Sequence, residues 1–198
     1  MLKSYFHKEF MEAGCDEAGR GCLAGPVYAA AVILPPHIRL PLLDDSKKLN
    51  EAKRNKLRLQ IEKRATAWAI GICTEREIEE FNILNCSILA MQRAVKQLGV
   101  RPEHLLIDGN RFKPYDLIPY TTVIKGDGKY RSIAAASILA KTHRDEYMKR
   151  LACEYPAYGF DQHKGYGTSQ HVQAIDEFGY LNCHRKTFKL KKFQKCDL

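Results

Sequence analysis

Two adjacent carboxylates lie beside a glycine-flanked arginine near the start of the chain, in the segment CDEAGRGCLAGPV. Asp16 and Glu17 offer carboxylate oxygens, which Mg²⁺ prefers as ligands together with water and phosphate oxygens. Gly19 and Gly21 allow a close backbone approach to a ligand, and the Arg20 guanidinium between them can bind a phosphate through two hydrogen bonds. The segment therefore indicates either a solvated acidic turn between two strands or half of a metal site that handles phosphate.

Two further aspartates are predicted to lie at the ends of strands. HLLIDG, residues 104–109, is a short apolar run that reaches Asp108, and YTTVIKGD, residues 120–127, is a second one that ends at Asp127. Strands pack side by side, so side chains at their ends can meet although they are far apart in sequence. Because a rigid sheet can hold catalytic groups at an open edge, we expect these two aspartates to converge with Asp16.

Such a cluster of carboxylates favours metal-ion chemistry. Crowded carboxylates raise one another's pKa values unless cations neutralise them, and Mg²⁺ or Mn²⁺ would do so through oxygen ligands. With two ions about 4 Å apart, one would activate an attacking water and the other would stabilise the leaving oxygen of a displacement at phosphorus. The formal net charge of +9 favours a polyanionic partner, either nucleic acid or an anionic membrane surface, and would hold nucleic acid against the acidic centre.

Strand geometry opposes the convergence of the two adjacent acids. Neighbouring side chains on a regular strand point to opposite faces, so Asp16 and Glu17 cannot face one centre unless the strand twists or bulges. Gly14 and Gly19 are the positions at which the backbone could relax. We therefore expect an irregular strand end at the acid pair.

Short apolar runs alternate with amphipathic segments along the chain, which predicts an α/β fold. The expected elements, in chain order, are strands at 13–20 and 26–34, a helix with Leu49, Leu57 and Ile61 on one face, a strand at 65–74, a helical stretch from Thr74 to Gly99, strands at 104–109 and 120–127, a long helix at 131–156 and a last helix at 168–179. The second helical stretch begins with a capping box, Thr74 and Glu77, and is interrupted near Asn82. No repeat or low-complexity linker divides the chain, so we expect one domain over residues 1–198 with a helical and basic C-terminal extension from about residue 168.

The seven cysteines are spread along the chain without a C-x-x-C pair, so we expect reduced thiols and a cytoplasmic protein. A zinc site built from Cys183, His184 and Cys196 lacks the paired spacing of a zinc motif. The longest apolar stretch, VYAAAVILPP, is far too short to span a bilayer. The first residues carry Glu9 and Glu12 and no continuous apolar run, so neither a membrane anchor nor a secretory signal is expected.

Several further motifs occur in an order that resembles the ribonuclease HII family and spans most of the chain. The matching segments are DEAGRGCLAGPV at 16–27, DDSKKL at 44–49, IDGN at 107–110, KGDGKYRSIAAASILAKTHRD at 125–145, HKGYGT at 163–168 and HRKTF at 184–188. The resemblance implies a ribonuclease H-like fold, with a central mixed β-sheet flanked by helices. It also implies metal-dependent hydrolysis of RNA in RNA/DNA hybrids and of single ribonucleotides in duplex DNA. Cleavage on the 5′ side of the ribonucleotide would leave a 3′-hydroxyl and a 5′-phosphate.

The resemblance implies four acids that bind Mg²⁺ or Mn²⁺, as a two-metal site when substrate is bound. They are Asp16, Glu17, Asp108 and Asp127. A fifth acid in the matching segments, Asp145, falls inside the predicted long helix next to Arg144, where we expect a structural ion pair. No membrane partner is implied, and we expect a monomer that binds RNA/DNA hybrids and ribonucleotide-containing DNA.

The resemblance also implies how the sugar is recognised. In the family the glycine-arginine-glycine segment, here Gly19, Arg20 and Gly21, lies against the ribonucleotide, where its backbone reads the 2′-hydroxyl and the arginine binds a phosphate. The 2′-hydroxyl is the group that distinguishes the two sugars locally, so a close backbone approach is chemically reasonable. Tyr166 matches the tyrosine that stacks on the sugar next to the RNA–DNA junction.

Other positions in the matching segments have two interpretations each. Ser46 and Lys47 are candidates for binding the DNA backbone, or belong to a charged loop before a helix. Ser137 and Lys141 share one helical face and either reach the substrate or support the sheet. The basic tail that ends the chain either contacts the duplex or is solvated.

Three alternatives remain open. A ribonuclease HIII-like enzyme shares the chemistry, but its family carries an extra N-terminal substrate-binding domain, and only 15 residues precede Asp16. Another nuclease of the same fold, such as a junction resolvase, would explain the acids and the charge but not the glycine-arginine-glycine and HKGYGT segments. A noncatalytic basic binding module would give no reason for acids at three separate strand ends.

Overall fold

A five-stranded mixed sheet forms the centre of the protein in a computed structural model that describes residues 2–43, 46 and 49–188. The strands are β1 (Glu12–Ala18), β2 (Val27–Ile33), β3 (Ala67–Cys73), β4 (His104–Asp108) and β5 (Tyr120–Val123). Their order is β3-β2-β1-β4-β5, where β2 is antiparallel to β1 and β3, while β1, β4 and β5 are parallel. The predicted α/β class and mixed sheet are confirmed, and only the last predicted strand is much too long.

The helices of the described part of the chain flank this sheet. They are α1 (Glu51–Arg64), α2 (Glu75–Lys96), α3 (Arg131–Glu154), α4 (Phe160–His163) and α5 (Ser169–Phe178). The predicted capping box at the start of α2 is present, because Thr74 accepts the N–H of Glu77 and the Glu77 carboxylate accepts the N–H of Thr74. The predicted interruption is also present, since Asn82 has a φ of 64°. α2 ends at Lys96 rather than at Gly99.

Both faces of the sheet are buried, which accounts for the small apolar residues of β1 and β2. α2 packs against one face around Ala13 and Cys15, whereas α1 and α3 pack against the other face. A side chain at Gly14 would overlap the backbone of Ser132 and Ile133 at the start of α3. Gly14 is therefore required for the close packing of α3 on β1, and the expectation that it relaxes the strand is wrong.

A C-terminal layer, residues 156–188, packs against the loop between β1 and β2. Isolated backbone bridges join Cys22 to Tyr166 and Ala24 to His184. α5 matches the predicted last helix. The predicted basic tail beyond residue 188 lies outside the described residues. Within the described ranges, no helix has the length and apolar character needed to cross a bilayer.

Candidate active site

The ends of the parallel neighbours β1 and β4 bring two of the predicted acids together. The register pairs Cys15 with Ile107, so Asp16 and Asp108 follow at adjacent strand ends. Asp16 is buried, and burial raises its pKa well above the ordinary value, with further increases from the charges of Glu17 and Asp108. A hydrogen bond from Ser137 and one from the Glu17 N–H, 2.7 Å from Asp16 Oδ1, partly oppose that increase.

Asp16 and Glu17 flank the end of β1 from opposite sides. Asp16 contacts Ser137 on α3, whereas Glu17 lines a pocket of about 230 Å³ between the sheet end and α2. The pairing of β1 with β2 stays regular through Ala18, so of the two distortions that could have turned both acids to one centre, a twist or a bulge, the bulge is absent. Asp108 raises the pKa of both acids, and it therefore lies close enough to link the two sides.

Glu17 is held by the arginine that follows it. Arg20 Nη1 donates to Glu17 Oε1 at 3.1 Å, and this guanidinium is 52% exposed while Glu17 is mostly buried. Burial raises the pKa of Glu17, the charge of Arg20 lowers it and the charge of Asp108 raises it. Arg20 thus lies at the rim of the acidic pocket with its far edge open to an anionic ligand.

Asp127 lies on a turn rather than at a strand end. β5 ends at Val123, and Asp127 occupies a short 3-10 turn, Gly126–Gly128, so the predicted strand to residue 127 is wrong. The Gly126 N–H donates to Asp108 Oδ1 at 2.6 Å, which ties this turn to the end of β4. Asp127 is buried, and its Oδ1 accepts the Gly128 N–H at 3.0 Å.

The donor set has the chemistry that hard divalent cations prefer. It consists of carboxylate oxygens, and the pKa values of Asp16 and Glu17 are raised by burial and by their acidic neighbours. A bound cation would relieve that repulsion. In the part of the chain that the structure describes, no three acidic, histidine or cysteine side chains already converge as a formed metal site. The role of the four acids as metal ligands therefore stays a prediction.

The two glycines beside Arg20 have different physical roles. Gly19 has a φ of +95°, and a side chain there would overlap the guanidinium of Arg144. Gly21 has open space where a side chain would be, so the protein itself does not require glycine at this position. The expectation that Gly19 relaxes the backbone after β1 agrees with its left-handed conformation.

Tyr166 lies beside the same loop, so the structure brings the two predicted substrate-reading segments together. Its backbone pairs with Cys22, and its hydroxyl is hydrogen-bonded to the Cys22 thiol. Burial and that thiol raise the pKa of Tyr166 to about 12, so the hydroxyl is neutral at physiological pH. The residue is still 41% exposed, which leaves part of the ring free to contact a ligand.

The predicted Ser46 site is mostly internal. The Ser46 hydroxyl lies 2.9 Å from that of Ser137, which in turn hydrogen-bonds Asp16, so Ser46 is linked to the acidic centre through Ser137. Lys47 lies outside the described residues. Lys141, on the same helix as Ser137, forms an ion pair with Asp145 at 2.7 Å. Asp145 thus has the predicted structural ion pair, although its partner is Lys141 and not Arg144.

Sequence reasoning missed two buried arginines, Arg144 and Arg185, which donate to the backbone of the loop between β1 and β2. No local signal marks Arg144, because its neighbours Lys141, His143 and Asp145 are polar or charged, as on a solvated helix face. Of the zinc candidates, His184 instead lies within hydrogen-bonding distance of His171, at 3.1 Å, and Cys196 is outside the described residues.

Comparisons of the sequence and of the fold with known proteins give one consistent result. The sequence profile of the family described as ribonuclease HII matches residues 13–191. Ribonuclease HII of Bacteroides thetaiotaomicron is 63% identical over 190 residues, which cover 96% of this chain and 95% of the relative. The structure of ribonuclease H2 from Pyrococcus horikoshii OT3 is similar over 90% of this chain and 94% of its own, with a TM-score of 0.75 and 24% identity. The structure of ribonuclease HII in a PCNA complex from Archaeoglobus fulgidus is similar over 95% of this chain and 100% of its own, with a TM-score of 0.73 and 27% identity.

Proposed function

The chain belongs to the ribonuclease HII family and is a type 2 ribonuclease H, an endoribonuclease, and we propose a role in cleavage for each of its site residues. The proposed metal ligands are Asp16, Glu17, Asp108 and Asp127. The observation that carries the proposal is that Asp16 and Glu17 on β1 lie beside Asp108 at the end of the adjacent strand β4, where burial and the charge of Asp108 raise the pKa values of both Asp16 and Glu17. Such a cluster is unfavourable by itself and becomes favourable when a divalent cation is bound.

Divalent metal ions are required for catalysis in this family, and we propose Mg²⁺ or Mn²⁺ as the ion. When bound, the metal would supply charge neutralisation and an activated water for hydrolysis of a phosphodiester bond. The protein contributes the positions of the carboxylates. Asp16 is oriented by Ser137 and by the Glu17 N–H, while Asp108 holds the turn that carries Asp127.

The loop that carries Arg20 is proposed to orient the scissile strand. Arg20 is fixed on its inner edge by Glu17, so its exposed edge can bind a phosphate next to the acids. The open space at Gly21 lets a sugar approach the backbone, whose polar groups would bind the 2′-hydroxyl. Tyr166 would stack on the adjacent sugar, which its partly exposed ring and its contact with Cys22 support.

The family acts on RNA/DNA hybrids, and we propose that this protein also cuts at single ribonucleotides in duplex DNA. The cut would fall on the 5′ side of the ribonucleotide and leave a 3′-hydroxyl and a 5′-phosphate. A short loop that contacts one sugar supports recognition of a single ribonucleotide, whereas an extended surface would contact the sugars of many nucleotides.

Cut mapping tests this proposal. A duplex with one ribonucleotide, labelled at the 5′ end of the ribonucleotide strand, is incubated with protein and Mg²⁺ beside an all-DNA duplex of the same sequence. We expect one product that ends immediately 5′ of the ribonucleotide and carries an extendable 3′-hydroxyl, with no cleavage of the DNA control. A cut at another phosphate, or equal cleavage of the control, would contradict the proposal.

The remaining features of the proposed enzyme are its cellular setting and organisation. We propose one catalytic domain that acts as a monomer in the cytoplasm. The described cysteines are free thiols, which suits a reducing compartment. Light scattering of the purified protein would measure a mass near 22.6 kDa for a monomer.

A further inference from the structure

We infer that Arg144 and Arg185 are positioning residues that fix the substrate-reading loop, residues 19–26, against the layer that carries Tyr166. The inference rests on the proposed function of this loop and adds to it two residues that do not contact the metal-site acids. Both side chains are only 1% exposed, and both lie directly beneath the loop.

Arg144 reaches from α3 to three backbone carbonyl groups. Its Nε donates to Pro26 at 3.0 Å, Nη2 donates to Ala24 at 2.9 Å, and Nη1 donates to Lys164 at 2.9 Å. The first two carbonyl groups belong to the end of the reading loop and the third belongs to the segment before Tyr166. One guanidinium therefore sets the distance between the two segments.

Arg185 holds the same loop from the C-terminal layer. Its Nε and Nη2 donate to the Gly25 carbonyl at 2.9 and 2.6 Å, and its Nη1 donates to the Arg20 carbonyl at 3.0 Å. Arg20 is thus held through its backbone by Arg185 and through its side chain by Glu17. The guanidinium that is proposed to bind phosphate is oriented from both ends.

The charge of these arginines is not used in ion pairs. Among the described residues, neither Arg144 nor Arg185 has a carboxylate within ion-pair distance, and Asp145 pairs with Lys141 instead. Burial lowers the pKa of Arg185 to about 10 although the charge of Glu75 favours the charged form, so burial of this guanidinium without an ion pair is costly. Such side chains are expected where their geometry is needed, and a planar guanidinium can donate in several fixed directions whereas a lysine ammonium cannot.

Close contacts show that the loop rests on these side chains. A side chain at Gly19 would overlap Arg144 Nε, and one at Gly25 would overlap Met148 and crowd Arg144 Nη2. Asp16 and Asp108, in contrast, are held by strand pairing and, for Asp16, by Ser137 of α3, so a change at either arginine should move the loop more than these two acids. Misplacement of a substrate group by about 1 Å can reduce turnover by about 10²-fold.

The inference is tested with Arg144→Lys and Arg185→Lys, which keep the charge but lose the planar fork. Arg58→Lys is the control for loss of a planar fork elsewhere, because Arg58 is less buried, with 22% of its side chain exposed, and pairs with Glu62 and Glu146 away from the loop. The values of kcat and KM are measured with a single-ribonucleotide duplex and with a long RNA/DNA hybrid. Calorimetric titration with Mn²⁺ alone and urea unfolding report the metal site and the fold separately.

We expect both loop variants to fold and to bind Mn²⁺ as wild type does, while kcat/KM falls by about 10²-fold on the single ribonucleotide. The loss on the hybrid should be smaller, because further ribonucleotides of the hybrid would give contacts with the protein that do not depend on this loop. Arg58→Lys should leave kcat/KM unchanged on both substrates. Equal losses on the two substrates, unchanged kinetics, or failure of both lysine variants to fold would overturn the inference. Failure of the proposed function is distinct, since wild type itself would then not cut the single-ribonucleotide duplex.

Discussion

The buried histidine cluster beside Tyr166 should make folding stability sensitive to mild acid. His171 stacks on His163 with ring centroids 4.4 Å apart, and its Nε2 lies 3.1 Å from Nε2 of His184. His171 Nδ1 lies 2.9 Å from the Tyr166 carbonyl and must donate to it. His184 Nδ1 accepts the N–H of Leu181, so its Nε2 carries the proton and donates to His171.

Protonation of His171 would break this arrangement, because two N–H groups would then face each other at the His171–His184 contact. Burial, and the neighbouring histidines, lower the pKa of His171 to about 4, from an ordinary value near 6.5. The unfolded chain therefore binds a proton that the folded protein excludes as the pH falls below about 6.5. The stability contributed by neutral His171 is fully present above that pH and is lost progressively until about pH 4.

The magnitude follows from the two pKa values. At pH 5 the linkage relation gives a loss of about 2 kcal/mol for this one residue, relative to pH 7.5. Urea unfolding at both pH values measures it in wild type, in His171→Gln and in the exposed-site control His37→Gln. The decrease in free energy of unfolding should be about 2 kcal/mol smaller in His171→Gln and unchanged in the control. An equal decrease in all three proteins would refute the reasoning.

Three further predictions concern the reading loop and the core. Tyr166→Ala should reduce cleavage of a single-ribonucleotide duplex roughly tenfold or more, since stacking on an aromatic ring is worth about 1–3 kcal/mol, while Tyr166→Phe should retain more activity. Equal losses on hybrids in steady-state kinetics would contradict a role of Tyr166 in substrate selectivity. Arg20→Ala should raise KM for that duplex about tenfold, and the KM of Arg20→Lys should lie between that value and the wild-type value. Wild-type kcat/KM in both variants would show that Arg20 is a solvated charge without a role in binding. Gly71→Ala should lower the free energy of unfolding by about 1–3 kcal/mol, because a side chain there would overlap the Ala90 carbonyl of α2. An unchanged midpoint of urea unfolding would show that α2 can shift without loss of stability.

Much of the fold could be predicted because local signals agree with tertiary packing. The strands are short apolar runs, α2 begins at a capping box, and Asn82 interrupts it with a φ of 64° and a ψ of 163°, while its side chain accepts the N–H groups of Leu84 and Asn85 at the restart of the helix. The position of Asp127 could not be predicted in the same way. The apolar run of β5 continues to Ile124, and the chain turns because Lys125 adopts a left-handed conformation and Asp108 accepts the Gly126 N–H.

The acid pair shows a different limit of sequence reasoning. The opposite directions of Asp16 and Glu17 were correctly expected from strand geometry, and of the twist or bulge that could have turned them to one centre, the bulge is absent. Asp108, on the neighbouring strand, lies near both carboxylates instead. This solution depends on a parallel register between β1 and β4, which no local pattern encodes. The contacts of Arg144 and Arg185 depend likewise on residues more than 100 positions away in the sequence.

The central claim is that buried acids at the end of this sheet hold the metal ions for cleavage, and charge removal at single acids tests it most directly. Asp16→Asn and Asp127→Asn keep the side-chain shape but lose the charge, and Asp145→Asn is the matched buried control, since its carboxylate pairs with Lys141. Cleavage of a single-ribonucleotide duplex is measured at equal Mg²⁺ concentration for folded proteins. We predict a decrease of at least about 10²-fold for the first two variants, because metal ions supply several kcal/mol of transition-state stabilisation, and substantial activity for Asp145→Asn. Near wild-type activity of Asp16→Asn or Asp127→Asn would contradict the account.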